Sequence, residues 1–269
     1  MKAMILAAGL GTRLRPLTDD RPKALVTVAG RTLLEIALLR LRSFGVREVV
    51  VNTHHYAGMV ADYLRANGSF GMRIEISREE ELLDTGGGLK KAGAFFTAGG
   101  DSEEPFILHN VDVISSIDLG RMVRFHTECA ALATLAVQDR ATSRYLLFDE
   151  QGQLCGRGTG GSLKTETGND AARPDEARNG EEGKVVWARP AAEAHALAFS
   201  GIHVISPRIF AKMTEEGAFS IIATYMRLAA QGEKIIAFRA DECYWRDLGR
   251  PESILAASQD LADGRYSIN

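Results

Sequence analysis

The sequence predicts an α/β protein with a parallel sheet flanked by helices. Short apolar runs, which suit strands buried on both faces, alternate with stretches of helical periodicity at the spacing of β–α–β units. Because crossovers between parallel strands are right-handed, this alternation builds a sheet that is covered by helices.

The first half of the chain contains the regular part of the alternation. A continuous apolar run predicts a buried first strand, and apolar residues spaced by three and four predict the helix that follows it. The predicted elements are strands at 2–8, 48–52, 72–77 and 105–109 and helices at 31–44, 57–66 and 88–96.

The second half is less regular. The elements predicted there are strands at 130–137, 145–148, 197–205 and 235–238 and helices at 219–230 and 251–262. Residues 156–183 are rich in glycine and charge and contain one large aliphatic residue, Leu163. Because such a segment buries too little apolar area to offset its ordering entropy, we expect a mobile surface loop at 156–183.

Composition restricts the class of protein. The length of 269 residues, with 45% apolar and 25% charged, suits one domain over residues 1–269. A net charge of −3, from 32 basic and 35 acidic residues, argues against a nucleic-acid binder. The three cysteines form no C-x-x-C pair, and the sequence shows neither a membrane span nor a signal peptide. A cytoplasmic protein is therefore expected.

The strongest functional signal directly follows the first predicted strand, where residues 6–18 read LAAGLGTRLRPLT. Gly9 and Gly11 allow backbone N–H groups to approach a ligand closely. Four cations fall within eleven positions, namely Arg13, Arg15, Arg21 and Lys23. Small residues and concentrated positive charge at the end of a first parallel strand predict a triphosphate site.

Two other phosphate-binding loops do not match this segment. The dinucleotide fingerprint requires a third glycine where Leu14 stands, and the P-loop requires Gly-Lys followed by Ser or Thr. A glycine turn beside a solvated basic surface is the non-functional alternative. A bare Gly-x-Gly would favour that alternative, whereas the complete segment favours a phosphate site.

Two carboxylates are candidate ligands of a divalent cation. Residues 106–113 read FILHNVDV, so Asp112 lies just beyond a buried strand, at the edge where parallel sheets bind ligands. Residues 244–249 read YWRDLG and supply Asp247. Mg²⁺ takes one or two carboxylates together with phosphate oxygens and waters. The alternative for Asp247 is a cap for the helix that begins at Pro251.

Two further segments are candidates for the walls of a pocket. Residues 83–88 read LDTGGG, and their small side chains would let a ligand approach the backbone. A flexible turn before a helix is the alternative for this segment. Ser200 and Gly201 lie within a predicted strand, where an ordinary glycine at a bend is the alternative.

Together these segments resemble the signature of the sugar-1-phosphate nucleotidyltransferases. The resemblance covers residues 1–137 well and 197–262 more loosely, and is strongest to N-acetylmuramate-1-phosphate uridylyltransferases and mannose-1-phosphate guanylyltransferase-like proteins. It implies a Rossmann-like fold of glycosyltransferase-A type, with a mixed, mainly parallel sheet flanked by helices. It also implies a nucleotide-binding half at 1–137 and a sugar-phosphate-binding half at 138–269.

The resemblance implies a role for each candidate residue. Arg13 and Lys23 would be catalytic, with Arg13 on the β- and γ-phosphates and Lys23 between the two reacting phosphates. Asp112 and Asp247 would bind Mg²⁺. The residues implied in nucleotide binding are Ala7, Ala8, Gly9, Gly11, Thr12, Arg13, Asp84, Thr85 and Gly86. Those implied in sugar-phosphate binding are Lys23, Gly87, Asn110 and Gly201.

Two departures from the family's pattern concern the turn after the fourth strand and the sugar side. Val111 replaces the glycine of the family's Asn-Gly-Asp. Residues 187–190 read WARP where relatives carry Glu-Lys-Pro, so the sugar-binding glutamate is missing, and Glu193 is the candidate substitute.

The implied reaction joins a nucleoside triphosphate to a sugar 1-phosphate and releases pyrophosphate. UTP is the preferred nucleotide, and GTP-dependent transfer to mannose or heptose 1-phosphate is the alternative within the class. A regulatory module that binds nucleotide sugars without turnover is the alternative outside it, although binding alone does not require two carboxylates. The implied protein is a monomer or homodimer that binds these two small substrates, without nucleic acid or membrane.

Overall fold

The computed structural model describes residues 1–98, 103–160 and 184–267. In these segments the chain forms fourteen strands, numbered in chain order. The strands are β1 (Lys2–Leu6), β2 (Thr27–Val28), β3 (Arg31–Thr32), β4 (Glu48–Thr53), β5 (Arg73–Arg78), β6 (Phe106–Asn110), β7 (Val113–Ser115), β8 (Ala133–Gln138), β9 (Arg144–Phe148), β10 (Leu154–Thr159), β11 (Val185–Trp187), β12 (His195–Ile205), β13 (Ile235–Arg239) and β14 (Trp245–Asp247).

Seven α-helices occur in the same segments. They are α1 (Leu33–Ser43), α2 (Ala57–Ala66), α3 (Asp84–Lys91), α4 (Gly93–Thr97), α5 (Leu119–Glu128), α6 (Ile221–Ala230) and α7 (Pro251–Ala262). Short 3₁₀ helices lie at Thr12–Leu14, Lys23–Leu25, Gly68–Gly71 and Pro207–Lys212. Within the described residues, none of these helices has both the length and the apolar character that a membrane crossing requires.

Ten of the described strands form one mixed sheet. Its order is β11-β10-β9-β12-β6-β1-β4-β5, with β8 also paired to β12 and β13 paired to β8. β1 is parallel to both β4 and β6, and β5 extends this series beyond β4. β12 runs antiparallel to β6, β8 and β9. The predicted α/β class with a mixed sheet is confirmed, and the parallel pairs lie mainly in the N-terminal half.

Burial on both faces explains the continuous apolar runs of the first strands. Along β1, Ala3 and Ile5 pack into the core on one face and Met4 packs into the core on the other. Helices α1, α2, α5 and α7 contribute to the first core, whereas α3, α4 and α6 contribute to the second. Because successive side chains of a strand point to opposite faces, a sheet covered on both sides requires apolar residues at every position.

Several predicted boundaries are confirmed by the structure. Helices α2 and α7 have the predicted bounds, and β4 extends its prediction by one residue. Helix α1 begins later than predicted, because the side chain of Thr32 caps it by accepting a hydrogen bond from the N–H of Glu35 at 3.0 Å.

Two predictions were wrong. The single helix at 88–96 is two helices, α3 and α4, and α3 begins at Asp84, so the predicted glycine loop is helical. Residues 156–159 belong to β10, which pairs with β9 and β11, rather than to a mobile loop. Glycine suits this strand because a Cβ at Gly156 would lie 3.0 Å from the carbonyl oxygen of Val186. The rest of the predicted loop, 161–183, lies outside the described residues.

Helix α5 was not predicted, although its sequence contains a signal. The Asp118 side chain caps it by accepting a hydrogen bond from the N–H of Arg121 at 2.9 Å. Its buried residues are Leu119, Met122 and His126, spaced by three and four. A cap followed by this spacing is typical of an amphipathic helix.

Candidate active site

The first segment of the candidate site begins where β1 ends. The N–H of Ala7 donates a hydrogen bond to Oδ1 of Asn52 at 2.7 Å, which fixes the start of the loop. Gly11 has a φ of 66°, and a Cβ there would lie 3.0 Å from Cγ2 of Thr18 and 3.2 Å from Cβ of Lys23. Glycine is therefore required at position 11 on both conformational and steric grounds.

The backbone between Gly9 and Thr12 is accessible from solvent. Both residues are exposed, and a Cβ at Gly9 would meet no atom within 4 Å, whereas Ala7 and Ala8 are buried. The hydroxyl of Thr18 donates a hydrogen bond to the carbonyl oxygen of Gly11 at 2.9 Å and so holds the loop in its turn.

The four cations predicted in this segment differ in their partners. The Lys23 ammonium forms an ion pair with Oδ2 of Asp112, and the side chains of both residues are only 13% exposed. Arg15 and Arg21 pair with the nearby Asp19 and Asp20 at the surface. Lys23 alone of these three cations is directed into the predicted carboxylate site.

The two predicted metal-binding carboxylates are brought together by pairing of β14 with β7. In this antiparallel pair Asp247 lies opposite Val113, the residue that follows Asp112. The N–H of Leu248 also donates a hydrogen bond to the carbonyl oxygen of Asp112 at 2.7 Å. The backbones of Asp112 and Asp247 therefore lie side by side at this two-stranded sheet, although they come from distant parts of the sequence.

Asp247 does not cap the helix that follows it. The N-cap of α7 is Arg250, and no side chain caps this helix. Instead, Oδ1 of Asp247 accepts a hydrogen bond from the N–H of Gly249 at 2.6 Å. The capping alternative is thereby excluded.

Arg13 joins this group of residues through Gly249. A Cβ at Gly249 would lie 2.7 Å from Oδ1 of Asp247 and 2.9 Å from Nη2 of Arg13. The exposed Arg13 side chain and the Asp247 carboxylate thus converge on one small residue. Lys23 thus pairs with Asp112, Arg13 and Asp247 meet at Gly249, and the backbone hydrogen bond from Leu248 to Asp112 links these two pairs.

Asn110 and Gly201 are also brought together. Gly201 has a φ of 74°, and a Cβ there would lie 2.9 Å from Nδ2 of Asn110 and 2.8 Å from Cγ2 of Val113. The register of β12 against β8 shifts at this point, between Phe199 and His203. Glycine is therefore required at this bulge, next to the amide of Asn110.

Val111 occupies the position of the family's glycine without strain. Its side chain is buried, it does not adopt a positive φ, and its N–H donates a hydrogen bond to the carbonyl oxygen of Leu6 at 3.1 Å. The departure from Asn-Gly-Asp therefore leaves the turn between β6 and β7 regular.

The glycines at the start of α3 are explained by packing against the segment 217–219. A Cβ at Gly86 would lie 2.4 Å from the ring of Phe219, and a Cβ at Gly87 would lie 2.4 Å from the carbonyl oxygen of Gly217. Both glycines are buried, whereas Asp84 is exposed. The hydroxyl of Thr85 accepts a hydrogen bond from the N–H of Ile221 at 3.0 Å and so joins α3 to α6.

The donor set at the charged group suits a hard cation that also binds phosphate. Within residues 1–98, 103–160 and 184–267, no group of three or more His, Cys, Asp and Glu side chains is placed to hold a metal ion. Two carboxylates at the edge of a sheet match Mg²⁺, which completes its coordination with phosphate oxygens and waters.

Comparison with known proteins agrees with this geometry. A family model described as nucleotidyl transferase matches residues 2–152. The chain is 36% identical over 264 residues to the N-acetylmuramate alpha-1-phosphate uridylyltransferase of Caulobacter vibrioides, covering 97% of each protein. The chain belongs to the nucleotidyl transferase family. It is a sugar-1-phosphate nucleotidyltransferase.

Two other comparisons extend this result. The chain is also 27% identical to the mannose-1-phosphate guanylyltransferase of Mycobacterium tuberculosis, over 97% of the chain and 65% of that protein. A crystal structure of UDP-glucose pyrophosphorylase complexed with UDP-glucose superposes with a TM-score of 0.70 at 18% identity, covering 98% of this chain and 99% of that one. The last comparison supports the fold.

Sequence reasoning missed a buried carboxylate behind the loop that follows β1. The Glu79 side chain is 1% exposed, and it accepts hydrogen bonds from Nδ2 of Asn52 at 2.7 Å and from the N–H of Leu83 at 3.0 Å. Asn52 in turn holds Ala7, so Glu79 connects the loop after β1 to the start of α3. A sequence signal was absent, because Glu79 stands in a run of three glutamates.

Arg140 was also missed. Its guanidinium lies over the ring of Trp245, with Cζ 3.6 Å from the ring centroid, and Nη2 donates a hydrogen bond to the carbonyl oxygen of Phe199 at 2.9 Å. Trp245 lies two residues before Asp247 on β14. The sequence contained no motif that connected Arg140 to that strand.

His109 is a structural residue of β6. It is fully buried, and burial lowers the pKa of its imidazole to about 4. Its Nδ1 contacts the carbonyl oxygen of Asn110 at 2.7 Å. A neutral buried imidazole of this kind supports the strand end that carries Asn110 and Asp112.

The network of Glu79 gives the first prediction. Replacement of Glu79 by alanine leaves the buried amide of Asn52 and the half-buried N–H of Leu83 without this acceptor, so we expect the free energy of unfolding to fall by about 2–5 kcal/mol. Glu79→Gln retains one acceptor and should lose less. Since Ala7 depends on the same network, both variants should also raise the KM for the nucleotide. Denaturant unfolding and steady-state kinetics measure the two effects.

The exposed neighbour Glu80 provides the matched control. Glu80→Ala should leave both the unfolding free energy and the KM close to those of the unaltered protein. Equal behaviour of Glu79→Ala and Glu80→Ala would show that the buried network does not support the loop.

Proposed function

We propose that this enzyme transfers the uridylyl group of UTP to a sugar 1-phosphate and releases pyrophosphate. The convergence of Arg13 and Lys23 with Asp112 and Asp247 is the observation that carries the proposal. The similarity to a uridylyltransferase over 97% of both chains favours UTP as the nucleotide. N-acetylmuramate α-1-phosphate, the substrate in that relative's name, is the proposed acceptor.

The proposed chemistry is an in-line displacement at phosphorus. A phosphate oxygen of the acceptor attacks the α-phosphorus of UTP, and the bond from this phosphorus to the oxygen shared with the β-phosphate breaks. The electron pair of that bond leaves with pyrophosphate. Because the attacking oxygen is already ionised near neutral pH, no general base is required, and catalysis rests on alignment and charge neutralisation.

Lys23 is the residue proposed to act on the reacting phosphates. Its ammonium is a compact charge next to Asp112, and the side chains of both residues are largely shielded from solvent. Low exposure to solvent strengthens the interaction of an ammonium with phosphate oxygens. Arg13 is proposed to bind the β- and γ-phosphates, since an exposed guanidinium can contact two oxygens at once. Both cations would stabilise charge that moves from the attacking oxygen to the leaving pyrophosphate.

Mg²⁺ is the proposed cofactor, and Asp112 and Asp247 are the residues that would hold it. When bound, the ion would neutralise phosphate charge and orient the phosphates. Asp112 and Asp247 carry two negative charges beside the proposed position of a triphosphate. Lys23 already pairs with Asp112, and a divalent cation would further offset the repulsion between the two carboxylates and that anion.

The remaining predicted residues divide between two sides of the proposed pocket. The nucleotide side comprises Ala7, Ala8, Gly9, Gly11, Thr12, Asp84, Thr85 and Gly86. The acceptor side comprises Gly87, Asn110 and Gly201. Gly86 and Gly87 pack against residues 217–219, which favours a role for α3 in supporting the wall of the pocket. Asp84 is the solvent-exposed residue at the start of this helix.

A screen of pyrophosphate release tests the proposed function. The four nucleoside triphosphates are combined with N-acetylmuramate, glucose, N-acetylglucosamine and mannose 1-phosphates in the presence of Mg²⁺. We expect the highest kcat/KM for UTP with N-acetylmuramate α-1-phosphate. A preference for GTP with mannose 1-phosphate, the pair suggested by the 27% similarity to a guanylyltransferase, would replace the uridylyl proposal.

The division of roles between Lys23 and Arg13 gives a kinetic prediction. Lys23→Ala should lower kcat by about 100-fold or more with little change in either KM, since it removes a contact that strengthens in the transition state. Arg13→Ala should lower kcat and also raise the KM for the triphosphate. Arg13→Lys should recover only part of the activity, because an ammonium cannot contact two oxygens in a fixed plane.

Arg15→Ala is the control for this experiment, because Arg15 is an exposed cation of the same loop that pairs with Asp19. Its kinetic constants should stay within about twofold of the unaltered enzyme, as is usual for a surface ion pair. An increase in the KM for triphosphate alone in Lys23→Ala would contradict the proposed role of Lys23.

A further inference from the structure

Arg140 is a half-buried cation whose hydrogen-bonding capacity is only partly used. It follows β8 and is held from two sides, by the ring of Trp245 and by the carbonyl oxygen of Phe199. Its Nε–H is buried and has no acceptor among the residues that the structure describes. A buried donor without a partner is unfavourable, and an oxygen from a ligand would remove this cost.

The charge of Arg140 is also incompletely balanced. Burial lowers the pKa of its guanidinium, and the nearby carboxylate of Asp247 acts in the opposite direction. Arg227 and Arg246, by comparison, form direct ion pairs with Glu215 and Asp260. Stacking on an aromatic ring holds a guanidinium by its face and leaves donors at its edge for an anion.

The position of Arg140 relates it to the acceptor side of the proposed pocket. Trp245 and Asp247 are two residues apart on β14, so their side chains lie on the same face of the strand. Nε1 of Trp245 donates a hydrogen bond to the carbonyl oxygen of Ser200 at 2.8 Å. The next residue, Gly201, lies against Asn110. Arg140 therefore borders the group formed by Asp247, Gly201 and Asn110.

We infer that Arg140 is a further substrate-binding residue, which binds anionic oxygens of the sugar phosphate acceptor. This inference rests on the proposed function, because it assumes that the acceptor occupies the side of Asn110 and Gly201. Gly249 follows Asp247 by two residues, and Arg13, which lies next to Gly249 in space, is assigned to the triphosphate. Asp247 thus lies between Arg13, which is assigned to the triphosphate, and Arg140, which is assigned to the acceptor.

Two groups of the acceptor have the chemistry that Arg140 recognises. One is the 1-phosphate that all acceptors share, and the other is a carboxylate that acidic sugars such as N-acetylmuramate carry in addition. The carboxylate is planar and the phosphate is tetrahedral, but each presents a pair of anionic oxygens that can accept two hydrogen bonds from a guanidinium. The experiment distinguishes them by the choice of acceptor.

The test compares Arg140→Met and Arg140→Lys with the unaltered enzyme. The KM for each substrate is measured with N-acetylmuramate 1-phosphate and with the carboxylate-free N-acetylglucosamine 1-phosphate. Loss of a charged hydrogen bond should raise the KM for the acceptor by about 10- to 100-fold and leave the KM for UTP nearly unchanged. Arg140→Lys should recover part of this loss, because it retains the charge but not the planar donors.

The control variant is Arg144→Met, which removes an exposed arginine at the start of β9. Its KM values should match those of the unaltered enzyme. Melting temperatures of all variants report whether Arg140→Met remains folded. Calorimetric titration of the acceptor, in the presence of an unreactive UTP analogue, measures binding independently of turnover.

The pattern of KM changes shows which group of the acceptor Arg140 binds. A larger KM for both acceptors assigns the 1-phosphate to Arg140, and a larger KM for N-acetylmuramate 1-phosphate alone assigns the carboxylate. The inference is overturned if Arg140→Met behaves like Arg144→Met, or if the KM for both substrates rises together with a lower melting temperature. An unaltered enzyme that releases no pyrophosphate contradicts the proposed function, and the titration still tests Arg140.

Discussion

The pairing of β14 with β7 is the contact on which the candidate site depends. It sets Asp247 opposite Val113, beside Asp112, and aligns Gly249 next to Arg13. Three-residue strands provide few hydrogen bonds, so this pair requires support from its surroundings. Helix α7 supplies it, because Asp260 accepts hydrogen bonds from the hydroxyl of Tyr244 at 2.8 Å and from Nε of Arg246 at 3.0 Å.

A second set of contacts fixes the loop that follows β1. A continuous chain of hydrogen bonds, buried at Asn52 and half-buried at Leu83, crosses the ends of β1, β4 and β5 and joins Ala7, Asn52, Glu79 and Leu83. Parallel pairing places these ends at one edge of the sheet, where Asp112 also lies. One set of contacts thus positions the loop after β1, and a separate set positions the carboxylates of Asp112 and Asp247. The ion pair between Lys23 and Asp112 connects them.

The sequence alone was sufficient to predict the features that depend on the local pattern of apolar and polar residues. The burial of strands on both faces accounts for the apolar run of β1 and for the place of Asp112 after a buried strand. The left-handed φ of Gly11 and its packing against Thr18 became apparent only in the structure. The start of α3 was missed because tertiary packing overrides the low helix propensity of its glycines, which allow close contact with Phe219 and Gly217. Arg140 and Glu79 were missed for a related reason, since only the folded chain brings them to Trp245 and Asn52.

Crystallographic location of a divalent cation tests the central claim that the β14–β7 pair builds a metal site for the phosphates. Crystals grown with Mn²⁺ and an unreactive UTP analogue are measured at a wavelength where manganese scatters anomalously. The account predicts an anomalous peak at coordinating distance from the carboxylates of both Asp112 and Asp247 and from phosphate oxygens of the analogue. A peak away from these carboxylates, with Lys23 still paired to Asp112, would contradict it.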